Sequence, residues 1–298
     1  MRVLITGTQG QLARAFAERG GASSDIEIIC LGRPELDLAV PETIDRAVHA
    51  IRPDVVISAA AFTAVDDAES NSLLAHGINA EAPGHLAFAS RKVGARLIQI
   101  STDYVYDGMK SGAYLESDAV NPLSVYGRTK LEGENRCAAE NPQHVILRTA
   151  WLYSPFGQNF IKTMLKLASS RESIRVVEDQ YGSPTSAHDL AEAILKILQS
   201  WQSTPSMGIG QIYHVAGSGE TTWCGLARHL FEASRNANGP QAAVLGIPSG
   251  EWPSKAPRPF NSILNCRKFA ADFAWSAPLW QESVNAVTHR LLVESMTA

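Results

Sequence analysis

The chain lacks most of the features that would place it in a specialised class. Its four cysteines, Cys30, Cys137, Cys224 and Cys266, lie far apart in 298 residues. They make neither a C-x-x-C pair nor a cluster with histidine, which excludes a zinc centre and a disulfide framework and favours a reducing compartment. Positive charge is not in excess: 26 Lys and Arg against 30 Asp and Glu leave a net charge of −4. Nucleic acid and anionic membranes select basic faces, so neither is expected as a partner. No apolar run approaches the length of a membrane span, and MRVLITG enters a strand-like run at its third residue, too early for a signal-peptide core. Repeats and low-complexity tracts are missing too. The expectation is a cytoplasmic globular protein that acts on small molecules and is long enough for one large α/β domain or two unequal ones.

What is present is an alternation. Apolar runs VLIT (3–6), IEIICL (26–31), DVVISAAA (54–61), ARLIQIST (95–102) and HVILRTAW (144–151) are separated by helical patterns such as QLARAFAERG and HLAFASRKVG. Strands that are apolar along their whole length and alternate with helices indicate a parallel sheet covered on both faces, hence a doubly wound, Rossmann-like α/β fold. Past Trp151 the pattern breaks into Pro/Gly-interrupted segments. The helical AHDLAEAILKILQ and the strand-like IYHVAG suit a return to the first sheet. The expected division is a dinucleotide-binding domain at 1–151, rejoined by about 186–216, with a smaller substrate lobe from 152–185 and 217–298.

ITGTQGQLA follows the first strand and opens the first helix, the context a dinucleotide turn requires. Gly7 allows the tight turn and Gly10 a close approach to pyrophosphate, whose charge the free N–H groups of a helix start favour. The third small position is Ala13, compatible with helix–strand packing. Some twenty residues on, the second strand ends in CLGRPELDL, where such units read the adenosine ribose. Arg33 is placed for a 2′-phosphate and no acid occupies the strand tip, so NADPH is favoured and NADH remains open; Asp37, with Leu38 beside it, lies nearer the adenine.

SVYGRTKLEGE (124–134) places Tyr126 and Lys130 four apart, on one face of a helix. Alone, such a pair reads as a surface helix. QISTDYVYDG, however, ends a buried strand at the edge where open parallel sheets bind ligands, so Ser101 and Thr102 offer hydroxyls to the same crevice. A glycine turn, a hydroxyl and a Tyr/Lys helix together make a proton-transfer site.

On these residues, and on AAFTAVDDAE, INAEAP, RTAWLY, QNFIKTML, DQYGSPTSAHDLA and RPFNSIL, the chain resembles the extended short-chain dehydrogenase/reductases and, within them, the dTDP-4-dehydrorhamnose reductases. The resemblance spans nearly the whole chain. It implies NAD(P)H-dependent reduction of the 4-keto group of dTDP-6-deoxy-L-lyxo-4-hexulose to dTDP-L-rhamnose. Tyr126 would be the acid, its pKa lowered by Lys130, which also holds the nicotinamide ribose. Thr102 would hydrogen-bond O4, next to Asp103 and Tyr104. Gln11, Leu12, Ala60, Ala61 and Thr63 would line the cofactor, and Trp151 would pack on the sugar. Asn159, Arg258 and Asn261 would meet the nucleotide diphosphate.

Two departures accompany the resemblance: Ala13 at the third glycine position and Tyr106 where relatives often carry Phe. Some relatives dimerise through Mg²⁺ held by acids near the C-terminus; here RLLVESMTA offers only Glu294, so no metal is expected and monomer or homodimer both remain open. Two other readings share these motifs, a nucleotide-sugar 4-epimerase that keeps its NAD and a non-catalytic regulatory subunit of the methionine adenosyltransferase type.

Overall fold

The computed structural model describes residues 1–21 and 25–296. Strand β1 (Arg2–Thr6) turns into α1 (Gln11–Gly20), followed by β2 (Glu27–Leu31), α2 (Pro41–Ile51) and β3 (Val55–Ser58). Helices α3 (Val65–Ser70) and α4 (Ser72–His76), a π-helical turn (Gly77–Glu81) and α5 (Ala82–Lys92) lead to β4 (Arg96–Thr102). A 3₁₀ turn (Asp103–Val105), α6 (Val125–Glu140) and β5 (His144–Thr149) complete the first half. The second half contains β6 (Leu152–Tyr153), α7 (Phe160–Ala168), β7 (Ser173–Val177), β8 (Tyr181–Gly182), β9 (Thr185–Ser186), α8 (Ala187–Ser203), β10 (Gln211–His214), β11 (Thr221–Thr222), α9 (Trp223–Asn236) and β12 (Ala243–Ile247). Helices α10 (Arg267–Phe273) and α11 (Trp280–Met296) end the chain.

Six strands form one parallel sheet in the order β10-β5-β4-β3-β1-β2. The late strand β10 pairs with β5, Tyr213 opposite Leu147. Alternate residues show why both faces are covered. Val3, Ile5 and Ile57 point into a cluster with Phe16 of α1 and Leu190, Ile194 and Leu198 of α8. Leu4, Val56 and Leu97 point the other way, onto Ile44 and Val48 of α2 and Leu86 of α5. Each such side chain contributes about 1.5–3 kcal/mol by burial, which makes this slab the stable platform of the molecule.

Element ends differ from the sequence expectation where side chains intervene. Strand β3 stops at Ser58 instead of running on to Ala61, because Thr6 Oγ1 accepts the N–H groups of Ala59 and Ala60 (both 2.9 Å) and draws the chain away from the sheet. Helix α7 begins at Phe160 because Asn159 caps it, its Oδ1 accepting the Lys162 N–H at 3.2 Å.

A second apolar cluster lies apart from the sheet. Strands β7 and β12 pair in parallel, and around Ile174 of β7 gather Ile161 and Leu165 of α7, Leu226 and Leu230 of α9, and Trp280 and Val284 of α11. No described helix is long and apolar enough to cross a membrane.

Candidate active site

The order of the sheet reverses between β1 and β3, and both end at the same crevice, the place where such sheets bind ligands. Gly7 holds φ +95°, a region side chains rarely enter, and a Cβ there would stand 3.6 Å from Ala60 Cβ. Gly10, the N-cap of α1, has no side chain to occupy the helix start, and a Cβ on it would meet nothing within 4 Å. The first N–H groups of α1 therefore face open space, a cradle that fits a pyrophosphate.

The other residues expected at the cofactor divide. Ala60 and Ala61 line the crevice half-buried, and Thr63 is exposed beyond them. Arg33 is exposed one residue past Gly32, which packs on Gly7 and Thr8. Leu12 does not present its side chain: it is 5% exposed and belongs to the core, so only its backbone N–H lies at the helix start. Gln11 turns away to stitch α1 to the second half, its Oε1 accepting from Ser154 Oγ (2.8 Å) and Asn159 Nδ2 (2.9 Å). Asp37 braces the entry to α2, its N–H donated to Thr43 Oγ1 and its Oδ1 accepting from Ala39, while Leu38 packs partly buried on the β2 side of the core.

At the end of β4 the reacting groups meet. Thr102 donates its hydroxyl proton to Asp103 Oδ1 (2.9 Å), accepts the Tyr104 N–H (3.2 Å), and lies against the Tyr126 phenol. Helix α6 brings Tyr126 here because Ser124 caps it through the Gly127 N–H (3.1 Å) and because Gly127 lets the helix touch the chain at Tyr104, where a Cβ would sit 2.2 Å from the carbonyl oxygen. The Tyr104 and Tyr126 rings meet edge to face with centroids 5.6 Å apart. Lys130, one turn on, is buried and donates from Nζ to Ile100 O at 2.6 Å. The Ser101 hydroxyl is buried without a partner, a polar group of the kind a ligand completes.

Burial governs the protonation of this group. It pushes Tyr126 well above its ordinary value, with Thr102 opposing. This corrects the expectation that Lys130 lowers the phenol: the ammonium is drawn to the Ile100 carbonyl, and burial outweighs the help Tyr126 receives. Lys130 is pushed down to about 8 by burial, with Glu134 opposing. Asp103 is raised to about 6, again by burial, against hydrogen bonds from Ser262 and Thr102.

Behind Lys130 lies a charged group that sequence reasoning missed. Glu134, four residues on in the same helix, receives Arg148 Nε (2.9 Å) and Nη2 (2.6 Å), and Arg148 Nη1 donates to Tyr106 Oη at 2.8 Å. The Y-x-x-x-K spacing extended by one turn carries the signal, because a buried Lys wants a counter-charge at i+4. Asn79 is a satisfied core amide: it exchanges hydrogen bonds with Phe62 N–H (2.8 Å) and O (3.0 Å) and donates to Thr129 Oγ1 (3.3 Å).

The expected substrate residues are scattered more widely. Trp151, at φ +45°, stacks on Trp223 with centroids 3.5 Å apart and planes 6° from parallel, and Gly182 leaves room for its indole. Trp223 and Phe160 line a cavity of about 600 Å³ with Gln180, Arg175 and Arg258. Trp223 carried no signal in the sequence. Arg258 lines this cavity. Asn261 does not: its amide donates to Lys110 O and Gly112 O (both 2.7 Å) and accepts from Ile263, so it braces a loop. Asn159 is also committed, donating to Ser154 O (2.8 Å) and Gln11 besides capping α7. Among the described residues no group of three His, Cys, Asp or Glu side chains is arranged to hold a metal ion.

Residues 1–293 match the model of the family described as RmlD substrate binding domain. A dTDP-4-dehydrorhamnose reductase of Sinorhizobium fredii is 43% identical over 298 residues, all of both chains. Among solved structures, the dTDP-4-dehydrorhamnose reductase of Clostridium acetobutylicum superposes with a TM-score of 0.88 at 36% identity, covering all of both chains. That of Bacillus anthracis, in complex with NADP, gives 0.88 at 34% identity over 98% of this chain and 99% of its own.

Proposed function

Because the chain belongs to the RmlD substrate binding domain family, we infer that it catalyses the NAD(P)H-dependent reduction of the 4-keto group of dTDP-6-deoxy-L-lyxo-4-hexulose, giving dTDP-L-rhamnose. The observation that carries this reading is the meeting of Thr102 and Tyr126 at the end of β4, with Lys130 one turn behind and the open glycine turn across the crevice.

A bound dihydronicotinamide supplies the hydride that reduces C4. As C4 gains it, O4 becomes basic and takes the phenolic proton of Tyr126, which burial has kept in place at neutral pH. Negative charge then moves to the phenolate, where the Thr102 hydroxyl is the near group that favours it. Lys130, pushed down to about 8, still carries a positive charge at pH 7 and holds it on the Ile100 carbonyl, one helical turn behind the phenol. In the present arrangement the single Thr102 hydroxyl proton is donated to Asp103 Oδ1, and rotation about the Cβ–Oγ1 bond would release it toward the phenolate.

The exposed Arg33, two residues past the end of β2, supports a preference for NADPH, since a guanidinium there can meet a 2′-phosphate. The aromatic faces of Trp223 and Phe160 and the guanidinium of Arg258 suit the thymidine diphosphate end. NADPH oxidation followed at 340 nm with the dTDP-4-keto sugar, with NADH in parallel and the product identified by NMR, tests the reading. Consumption yielding dTDP-L-rhamnose is expected; bound cofactor without consumption would overturn it.

A further inference from the structure

The Pro-rich segment 252–258, WPSKAPR, forms one wall of the 600 Å³ cavity through Trp252, Ser254, Ala256, Pro257 and Arg258. Pro253 and Pro257 have no N–H to donate, so little of this backbone can anchor itself. Its anchor comes from far away in the chain. Asp66, at the start of α3, accepts at Oδ1 from Ser254 Oγ (3.1 Å), Lys255 N (3.1 Å), Ala256 N (3.0 Å) and Arg258 Nη1 (3.3 Å), and at Oδ2 from Arg258 Nη2 (2.8 Å). One carboxylate thus holds four residues that are 188 to 192 positions later. Arg258 also hydrogen-bonds Tyr104, whose ring edges against Tyr126.

We propose that Asp66 is a positioning residue for the substrate's diphosphate: it fixes the wall at 252–258 and aims Arg258 into the cavity, so it sets nucleotide affinity without touching the substrate. This rests on the reading that the substrate is a nucleoside diphosphate sugar. The geometry favours positioning over simple pairing. An exposed pair needs two charges only, whereas here two backbone N–H groups and a serine are bound by the same oxygen as the guanidinium. The arrangement leaves the fold itself little dependent on Asp66, whose side chain is 39% exposed.

The test is calorimetric titration of the full chain with dTDP, alongside fluorescence titration with NADPH, for wild type, Asp66→Ala, Asp66→Asn and Arg258→Met. Asp66→Ala is expected to weaken dTDP binding about tenfold or more, the loss of one or two charge-assisted contacts, while the NADPH Kd changes less than about twofold. Asp66→Asn, which keeps an acceptor for the backbone N–H groups, is expected to recover part of the loss. With the dTDP-4-keto sugar, KM rises more than kcat falls. Combining Asp66→Ala with Arg258→Met is expected to cost less than the sum of the two, because one acts through the other. A dTDP Kd for Asp66→Ala within twofold of wild type overturns the proposal and leaves the functional reading intact, and so do additive losses in the double variant. Wild type that binds NADPH but no dTDP overturns both.

Discussion

Two arginine–carboxylate pairs flank the candidate site, and they are built differently. Arg148 and Glu134 lie behind Lys130 with their side chains 3% and 2% exposed, closed off by the Tyr106 hydroxyl. Arg258 and Asp66 lie in front, 22% and 39% exposed, at the rim of the cavity. The rear pair is dry, so its attraction is strong but its desolvation cost is of similar size, and its value shows when one partner is removed. The front pair is wet and adjustable; its worth lies in where it puts a guanidinium. The same chemistry thus serves rigidity on the sheet side and recognition on the open side. Tyr126 sits between the two, linked rearward through Lys130 on its own helix and forward through Tyr104.

The largest expected effect falls on that midpoint. Tyr126→Phe removes the proton donor and keeps the ring against Tyr104, so kcat should fall by about 10²–10⁴ while NADPH binding and Tm hold. Steady-state kinetics with a thermal melt decide it; unchanged turnover would end the proposed role of the phenol.

Next comes the rear pair. Glu134→Gln leaves Arg148 and Lys130 as two buried cations without a counter-charge, and should cost about 3–5 kcal/mol in urea unfolding. Glu134 also opposes the fall of the Lys130 pKa. Its removal should therefore shift the alkaline limb of kcat/KM, set by Lys130 near 8, to lower pH. A variant that melts normally and keeps the same limb would show that the rear pair neither supports the fold nor tunes Lys130.

The difference between the regions also governs what the sequence could reveal. The sheet was legible because buried parallel strands must be apolar throughout, and β1, β2, β4 and β5 lie within a residue or two of the apolar runs that mark them. Tyr126, Lys130 and Thr102 were legible because their spacing and strand-end position are local. Asp66 and Arg258 were not seen as partners, since nothing local links residues 192 apart. For Leu12, position after a glycine turn marks a backbone N–H at the helix start but does not say that the side chain points into the core. Asn159 and Asn261 look like ligands in sequence, yet a buried or half-buried amide is satisfied by whichever backbone groups lie nearby, which only the fold determines. Trp223 had no motif around it, and its stacking on Trp151 depends on α9 packing beside a strand end.

A smaller effect follows from Asp103. Its carboxyl has a pKa of about 6 in the fold, above its ordinary 3.8. The folded state therefore holds the proton more tightly than the unfolded chain, and its stability declines as pH rises from about 4 to about 6, then levels off. The span corresponds to about 2–3 kcal/mol. Asp103→Asn should abolish that slope, so the variant gains on wild type at pH 7 relative to pH 4 in denaturant titrations. Parallel pH dependences would place the titrating group elsewhere.

The smallest effect comes from a third pair that extends the comparison to full exposure. Arg175, which lines the cavity, is bonded to Glu251, and their side chains are 56% and 55% exposed. At that exposure the pair contributes less than about 1 kcal/mol, and Glu251→Gln should move Tm hardly at all. The charge it removes, however, competes with an anionic substrate for Arg175. KM for the nucleotide sugar should therefore fall slightly at low ionic strength, and the gain should fade at about 0.15 M salt, where the screening length is about 8 Å. If Glu251→Gln instead lowers stability by several kcal/mol, burial is not what separates the three pairs, and the contrast between a dry rear and a wet front fails.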